Sequence, residues 1–225
     1  MNITTLFSQI NQSFRGSDDD PPTAGTDFNN WLIATNRKKD EWARDGKHTW
    51  RSLFAVNSVG TVSSGSQSYD LDTNFLVASD KVTVTTLTGS VVDYVVGEPQ
   101  ERDRYQKSCY ISGTDPQTLT FNDQFSSTDS VIGGTIKVAG YYIPDDYTSG
   151  GSIVTIDDPY WLVYAVAAEL AFNDITYSDK APDLNAKANN LYSQMVSNNR
   201  RGSSNMPRQA RTNVNRIIDP SGESN

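Results

Sequence analysis

The sequence predicts an α+β fold: a four-helix bundle formed by N- and C-terminal segments, with an inserted small antiparallel β domain and an extended C-terminal arm. Three observations carry this. Apolar residues recur at helical spacing near both ends, at Ile3, Leu6, Phe7, Ile10 and Phe14 and again at Leu184, Ala188, Leu191, Tyr192 and Met195. Between them, from Leu53, helical spacing gives way to short alternating runs separated by Ser, Gly, Thr and Asp clusters. The third is Thr155–Asp174, where the chain turns back to helix. Asp158 is placed to cap it, Pro159 tolerates the first helical position, and Asp157 and Asp158 complement the positive end of the helix dipole. The expected division is 1–52 for the first half of the helical domain, 53–156 for the β insert, 157–199 for the second half and 200–225 for the arm.

In chain order, the first stripe ends at Arg15-Gly16, and residues 17–25 are too rich in Asp, Pro and Gly to continue it. A second helix, capped by Thr26 or Asp27, runs to about Arg44 with Phe28, Trp31, Leu32, Thr35 and Trp42 on one side. Arg37-Glu41 and Asp40-Arg44, four apart on its other side, read as a solvated face. Lys81–Leu87 and Val91–Val96 flank Thr-Gly-Ser and predict a hairpin. Ile136–Tyr142 alternates, and Ile153–Ile156 reads as a last strand leading into the capped helix. That helix, read as 159–175, carries Trp161, Leu162, Val163, Tyr164, Val166, Leu170, Phe172 and Ile175 around nearly its whole circumference, so it must be covered on all sides. The N-terminal stripe must meet it. Burying one large apolar side chain is worth about 1.5–3 kcal/mol against about 1.5 kcal/mol per residue ordered, so the stripe alone cannot offset its own ordering.

Bulk composition bounds the function. Hydrophobic residues make up 36% of 225, and mean hydropathy is −0.55, which leaves room for solvated loops and a tail. No apolar run approaches a membrane span, and the first residues lack the basic and apolar regions of a signal peptide, so a soluble protein made in a reducing cytoplasm is expected. A net charge of −8 and a pI of 4.6 argue against a general nucleic-acid binder. Charge is also polarised: five Arg against Asp219 and Glu223 give residues 200–225 a charge of +3, which leaves −11 for the body out of −8 in total.

Catalytic patterns are missing. His48 is the single imidazole and Cys109 the single thiol, so a His/Cys zinc site and a nucleophile–base pair find no support; the first reads as a surface or cap residue and the second as a buried strand residue. No glycine-rich phosphate loop occurs. Asp70-Leu-Asp72-Thr-Asn74 opens like a calcium loop, but Phe75 stands where the turn glycine belongs and Lys81 where the closing Glu belongs. The acidic pairs Asp145-Asp146 and Asp157-Asp158 read as turn and cap residues before they read as a glycosidase pair. No enzyme activity, cofactor or metal is expected.

The layout nevertheless has a likeness. Two N-terminal helices, a strand-rich insert entered through Gln67-Ser-Tyr69-Asp-Leu71, the stretch Tyr141-Tyr-Ile-Pro144, the helix start Ile156-Asp-Asp-Pro159 and an Arg-bearing tail together resemble the head-to-tail adaptor (connector, head-completion) proteins of tailed bacteriophages. The likeness covers roughly residues 1–200; Asp72 stands where the family's segment commonly has proline. The resemblance implies a structural virion protein at the head–tail interface. It implies a ring of copies, usually twelve, docked under the portal protein, extending the channel through which DNA passes without specific binding. A downstream tail, nozzle or stopper protein would follow, with no membrane involved. It further implies a portal-binding arm, here Arg200, Arg201, Met206, Arg208, Arg211, Val214, Arg216, Ile217 and Ile218, and makes Trp161, Tyr164 and Phe172 candidates for the subunit interface. A tail or baseplate protein whose β domain binds a receptor or glycan stays open as an alternative, with Tyr141, Tyr142, Tyr147 and the loops 126–134 and 145–152 as its surface.

Overall fold

The computed structural model describes residues 1–16, 20–45, 47–98, 107–114 and 116–204. Two helices, α1 (Ile3–Phe14) and α2 (Gly25–Ala43), precede seven described strands, and two more helices, α3 (Pro159–Phe172) and α4 (Ala181–Ser204), follow them. The strands are β1 (Phe54–Thr61), β2 (Ser68–Asp70), β3 (Phe75–Thr85), β4 (Val91–Val96), β5 (Ser108–Ser112), β6 (Thr118–Phe121) and β7 (Thr135–Tyr142).

Helix α3 organises the helical half. Trp161, Leu162, Val163, Ala165, Val166, Ala167, Ala168 and Ala171 are all buried, and at 100° per residue these positions together reach every side of the helix. A helix with no polar face takes the centre, so α1, α2 and α4 each pack on α3. This overturns the expected four-helix bundle, in which each helix would hold a corner. The amphipathic helices instead surround an apolar one. α1 and α2 meet through rings, with Phe7 edge-on to Phe28 at 5.3 Å and to Trp31 at 5.4 Å. Helix α3 starts as predicted, with Asp158 accepting from the Tyr160 N–H at 2.9 Å and Pro159 at the first position, but it stops at Phe172. The start of α2 differs: Ala24 precedes it without a side-chain cap, and Asp27 falls in the first turn.

The β region departs further from expectation. It is neither small nor purely antiparallel. The seven strands form one sheet in the order β1-β7-β3-β4-β5-β6-β2, and β4 runs parallel to β5, with Val95 opposite Ser108 and Val96 opposite Cys109. The end strands β1 and β2 come back into contact, and the Ser63 N–H donates to the Tyr69 hydroxyl at 3.2 Å, so the sheet curls nearly into a closed barrel. Alternation sets its inside: Val82, Val84, Tyr94, Leu119, Phe121, Ile136 and Val138 are buried within it, while Lys81 and Lys137 stand outside. The predicted hairpin is β3–β4, paired from Lys81↔Val95 to Thr85↔Val91, with Gly89 supplying φ +85° in the turn. Gly140 is needed for a different reason. A Cβ there would stand 2.6 Å from the Val77 carbonyl oxygen, where β3 bulges against β7.

Residues 153–156, expected as a strand, make only an isolated bridge between Ile153 and Asn2. The Val154 N–H donates to the Met1 carbonyl at 3.0 Å, and the turn just before is taken up by α1. The Ile3 N–H donates to the Ser152 carbonyl and the Thr4 N–H to the Gly150 carbonyl, both at 3.0 Å, satisfying donors that α1 leaves open. At the other end of α1, the Lys180 ammonium donates to the Phe14 carbonyl at 2.7 Å, where a cation suits the helix dipole. Among the described residues, no helix is long and apolar enough to cross a membrane.

The halves are fastened at the exit from β7. Lys39 of α2 is 1% exposed, and its ammonium donates to the Pro144 carbonyl and to Asp146 Oδ1, each at 2.7 Å. Asp40 lies 3.3 Å away, and the Tyr147 ring faces the ammonium at 5.6 Å. Asp146 is 65% exposed, so desolvation falls on the ammonium alone and these partners must offset it. Asn36 adds a reciprocal pair, donating to the Tyr147 carbonyl and accepting from its N–H. Lys39→Met keeps the stem but strands the Pro144 carbonyl; it is expected to lower unfolding free energy by about 2 kcal/mol. Asp146→Asn, which leaves that carbonyl bonded and changes only an exposed partner, should cost under about 1 kcal/mol. Urea titration of both variants checks the order.

Candidate functional site

The described residues hold no cluster of three or more His, Cys, Asp or Glu placed to bind a metal ion. The carboxylates singled out from the sequence have structural partners. Asp145 accepts from the Asn74 amide at 3.0 Å, Asp146 holds Lys39, and Asp158 caps α3. Asp157 lines a shallow recess with Arg51. In the calcium-like stretch, Asp70 accepts from the Thr118 hydroxyl and Asp72 from the Asn74 N–H, so both side chains serve strand pairing and turn. His48 is half-buried, its ring edge-on to Trp50 at 6.0 Å and tilted against Tyr192 at 6.2 Å.

Of the tyrosines considered for glycan stacking, Tyr142 is buried and donates to the Val138 carbonyl, and Tyr147 is buried with its hydroxyl beside that of Thr155. Tyr141 is half-buried and packs edge-on to Phe54. These three do not form a common stacking surface.

The interface candidates separate along α3. Trp161 is 8% exposed and turned toward Tyr192 of α4, with ring centroids 6.2 Å apart, so its surface is used within the subunit. Tyr164 is half-buried under the Lys187 ammonium. Phe172 is 75% exposed, and Ile175, three residues beyond it, is 97% exposed. Phe172 rims a groove of about 610 Å³ between α3 and α4, floored by Ala165, Ala168, Ala181 and Pro182. Above the groove Glu169 takes ion pairs from Arg37 and Lys38 of α2. Exposed Ile33 lies four residues before Arg37 on α2. Phe172 and Ile175, three residues apart, leave exposed apolar surface at the end of α3, one turn beyond the Glu169 ion pairs.

A second patch lies on the outside of the barrel. The register places Phe54, Tyr141 and Val77 in one row across β1, β7 and β3, with Val56 one pleat along, and Phe54, Val56 and Val77 are all exposed. β1 has a hydrogen-bonded partner on one side only, so this patch ends at a sheet edge. Periodicity did not reveal it, because Phe54 and Val56 fit a buried strand as well as an exposed one.

No protein-family model matches the sequence, and no curated protein matches it.

The arm candidates fall mostly beyond reach. Helix α4 continues through Arg200 and Arg201 to Ser204, five residues past the expected boundary. Met206, Arg208, Arg211, Val214, Arg216, Ile217 and Ile218 lie outside the described residues. The helix itself is tied down near its end: Asn199 donates to the Thr49 carbonyl at 2.8 Å and accepts from the Arg51 N–H. The Tyr192 hydroxyl donates to the Asp45 carboxylate.

Titration reinforces the structural reading of the strand residues. Burial pushes the Cys109 thiol up to about 12, so at neutral pH it is a protonated, weak nucleophile. Burial, and then the Asp72 charge, push the Tyr142 hydroxyl up to about 12. Both groups stay neutral in the fold while the unfolded chain ionises from their ordinary values of 9.0 and 10.0. The stability this gives is complete below about pH 9 and is lost as pH rises toward about 12. Urea midpoints should therefore fall above pH ~9, and Cys109→Ala should remove the earlier part of that fall.

Proposed function

We propose that the chain is a structural joining subunit: a head-to-tail adaptor of a tailed phage, which forms a ring under the portal protein, continues the DNA channel and presents a platform to the next tail component. The observation that carries this is the pair of separate apolar patches. A head-to-tail ring joins two different surfaces of each copy, whereas a two-fold dimer needs only one. Phe172 and Ile175 on the helical half and Phe54, Val56 and Val77 on the barrel are available as those two surfaces.

Other features support the reading. The order of elements, two helices, a strand-rich region and two helices leading to a basic tail, is the order in which the adaptor likeness was drawn. A body of charge −11 suits a conduit along which DNA slides without sticking. Because Trp161 is buried within the subunit, the proposed interface is built on exposed Phe172 instead.

The full-length protein is expected to form rings visible by negative-stain microscopy. Phe172→Asp with Ile175→Asp should give monomers with stability within ~0.5 kcal/mol of the parent, since both side chains are exposed. Phe54→Lys with Val56→Lys should do the same from the other side. Mixing the two variants should yield dimers through the one intact pair of surfaces and nothing larger, as read by analytical ultracentrifugation. Rings that survive either double variant would end the two-patch reading. Removing residues 200–225 should leave the fold intact and reduce occupancy of the portal sites in assembled particles; parent-level occupancy would end the role given to the arm.

A further inference from the structure

A pocket of about 470 Å³ opens at one end of the barrel, between β4, the start of β5, β6 and the loop that follows β6. It is within the size range of small-ligand sites, on the order of 300–1,000 Å³. Its floor is aromatic. Tyr94 packs edge-on to Phe121 at 4.8 Å, and Phe121 to Phe125 at 4.9 Å. Its wall carries Asp123 and Asp129, with the hydroxyls of Ser126 and Ser130 beside them.

The hydroxyl of Tyr94 sets this pocket apart from a turn with two acids in it. Tyr94 is 8% exposed and lines the pocket, and its hydroxyl has no hydrogen-bond partner among the described residues. The ring is buried while the hydroxyl is not sealed from solvent, so a ligand in the pocket can take the bond that water otherwise takes. Beyond burial, the charges of Asp129 and Asp123 raise its pKa, so the hydroxyl sits in their field. Asp129 accepts one bond, from the Ser126 N–H at 2.7 Å, and among the described residues neither carboxylate is in an ion pair. Lys107 lines the same pocket but is exposed at its rim.

We infer that this pocket receives an arginine side chain of a partner protein. An aromatic floor under two carboxylates favours a cation. Several acceptors spread over one wall favour the planar five-donor guanidinium over an ammonium, and the guanidinium is also the more weakly hydrated of the two. Asp123 and Asp129 supply the charge, Tyr94 and the serine hydroxyls take the remaining N–H groups, and the rings of Phe121 and Phe125 cover the apolar stem. The site is independent of the two apolar patches and stands or falls without them.

The test is an NMR titration of the isotope-labelled full-length chain with N-acetyl-arginine amide, in parallel with its lysine and citrulline counterparts. Citrulline keeps the shape and loses the charge. Arginine should give saturable shifts at Tyr94, Ser126 and Asp129; lysine should bind more weakly; citrulline should not bind. Asp123→Asn with Asp129→Asn should weaken arginine binding about tenfold or more, and Tyr94→Phe should weaken it less while leaving the spectrum otherwise unchanged. Equal binding of arginine and citrulline would replace the cation site by a neutral polar one and overturn the inference. So would the absence of saturable shifts at these residues, or binding unchanged in the double Asp variant.

Discussion

A helix without a polar face can sit only where every side of it is covered, and this constraint arranges the helical half of the molecule. α3 takes the centre, and α1, α2 and α4 turn their apolar sides toward it. Each surrounding helix is then fixed by a polar contact at its end. Lys180 closes the C-terminus of α1, Lys39 and Asn36 bind α2 to the chain leaving β7, and Asn199 binds α4 to residues 49–51. Apolar burial sets which elements meet; these directional bonds set how they are oriented.

The same chain solves a different problem in its strands. A sheet of seven strands has two edges to hide, and curling brings β1 and β2 together so that the inner face becomes a second core, separate from that around α3. Closure is incomplete. β1 keeps an exposed edge with Phe54 and Val56, and the end of the barrel near Tyr94 stays open. The surfaces left over from two nearly complete cores are where the interactions of this protein are proposed to lie.

Much of this was legible in the residues. The stripes of α1 and α4, the cap at Asp158, the β3–β4 hairpin and the burial of Cys109 follow from local periodicity and local chemistry, which one stretch of chain carries by itself. The bundle was misread because the all-round apolarity of α3 states that it needs cover without stating from how many neighbours. The parallel pairing of β4 with β5 and the curl of the sheet are long-range choices that no alternating run encodes. Residues 153–156 are β-branched throughout and read like a strand, yet the open donors of α1 lie far away in sequence and bind the turn just before them. In the candidate surfaces, Phe172 was legible as surplus apolar area, whereas Phe54, Val56 and the acids around Tyr94 were not. Exposure is a property of the finished packing, and spacing alone does not carry it.

The bonds from Ile3 and Thr4 to Ser152 and Gly150 have a consequence for synthesis. The acceptor for Thr4 lies 146 residues downstream, so α1 leaves the ribosome long before the groups that complete its first turn exist. The strands from Phe54 to Tyr142 emerge in between, and their pairings lie within that span. The barrel can therefore form while α1 and α2 wait with their apolar sides uncovered, and the helical half closes last, when α3 arrives. During that interval α1 and α2 carry apolar sides with nothing yet to cover them, the kind of surface that exposes a nascent chain to aggregation.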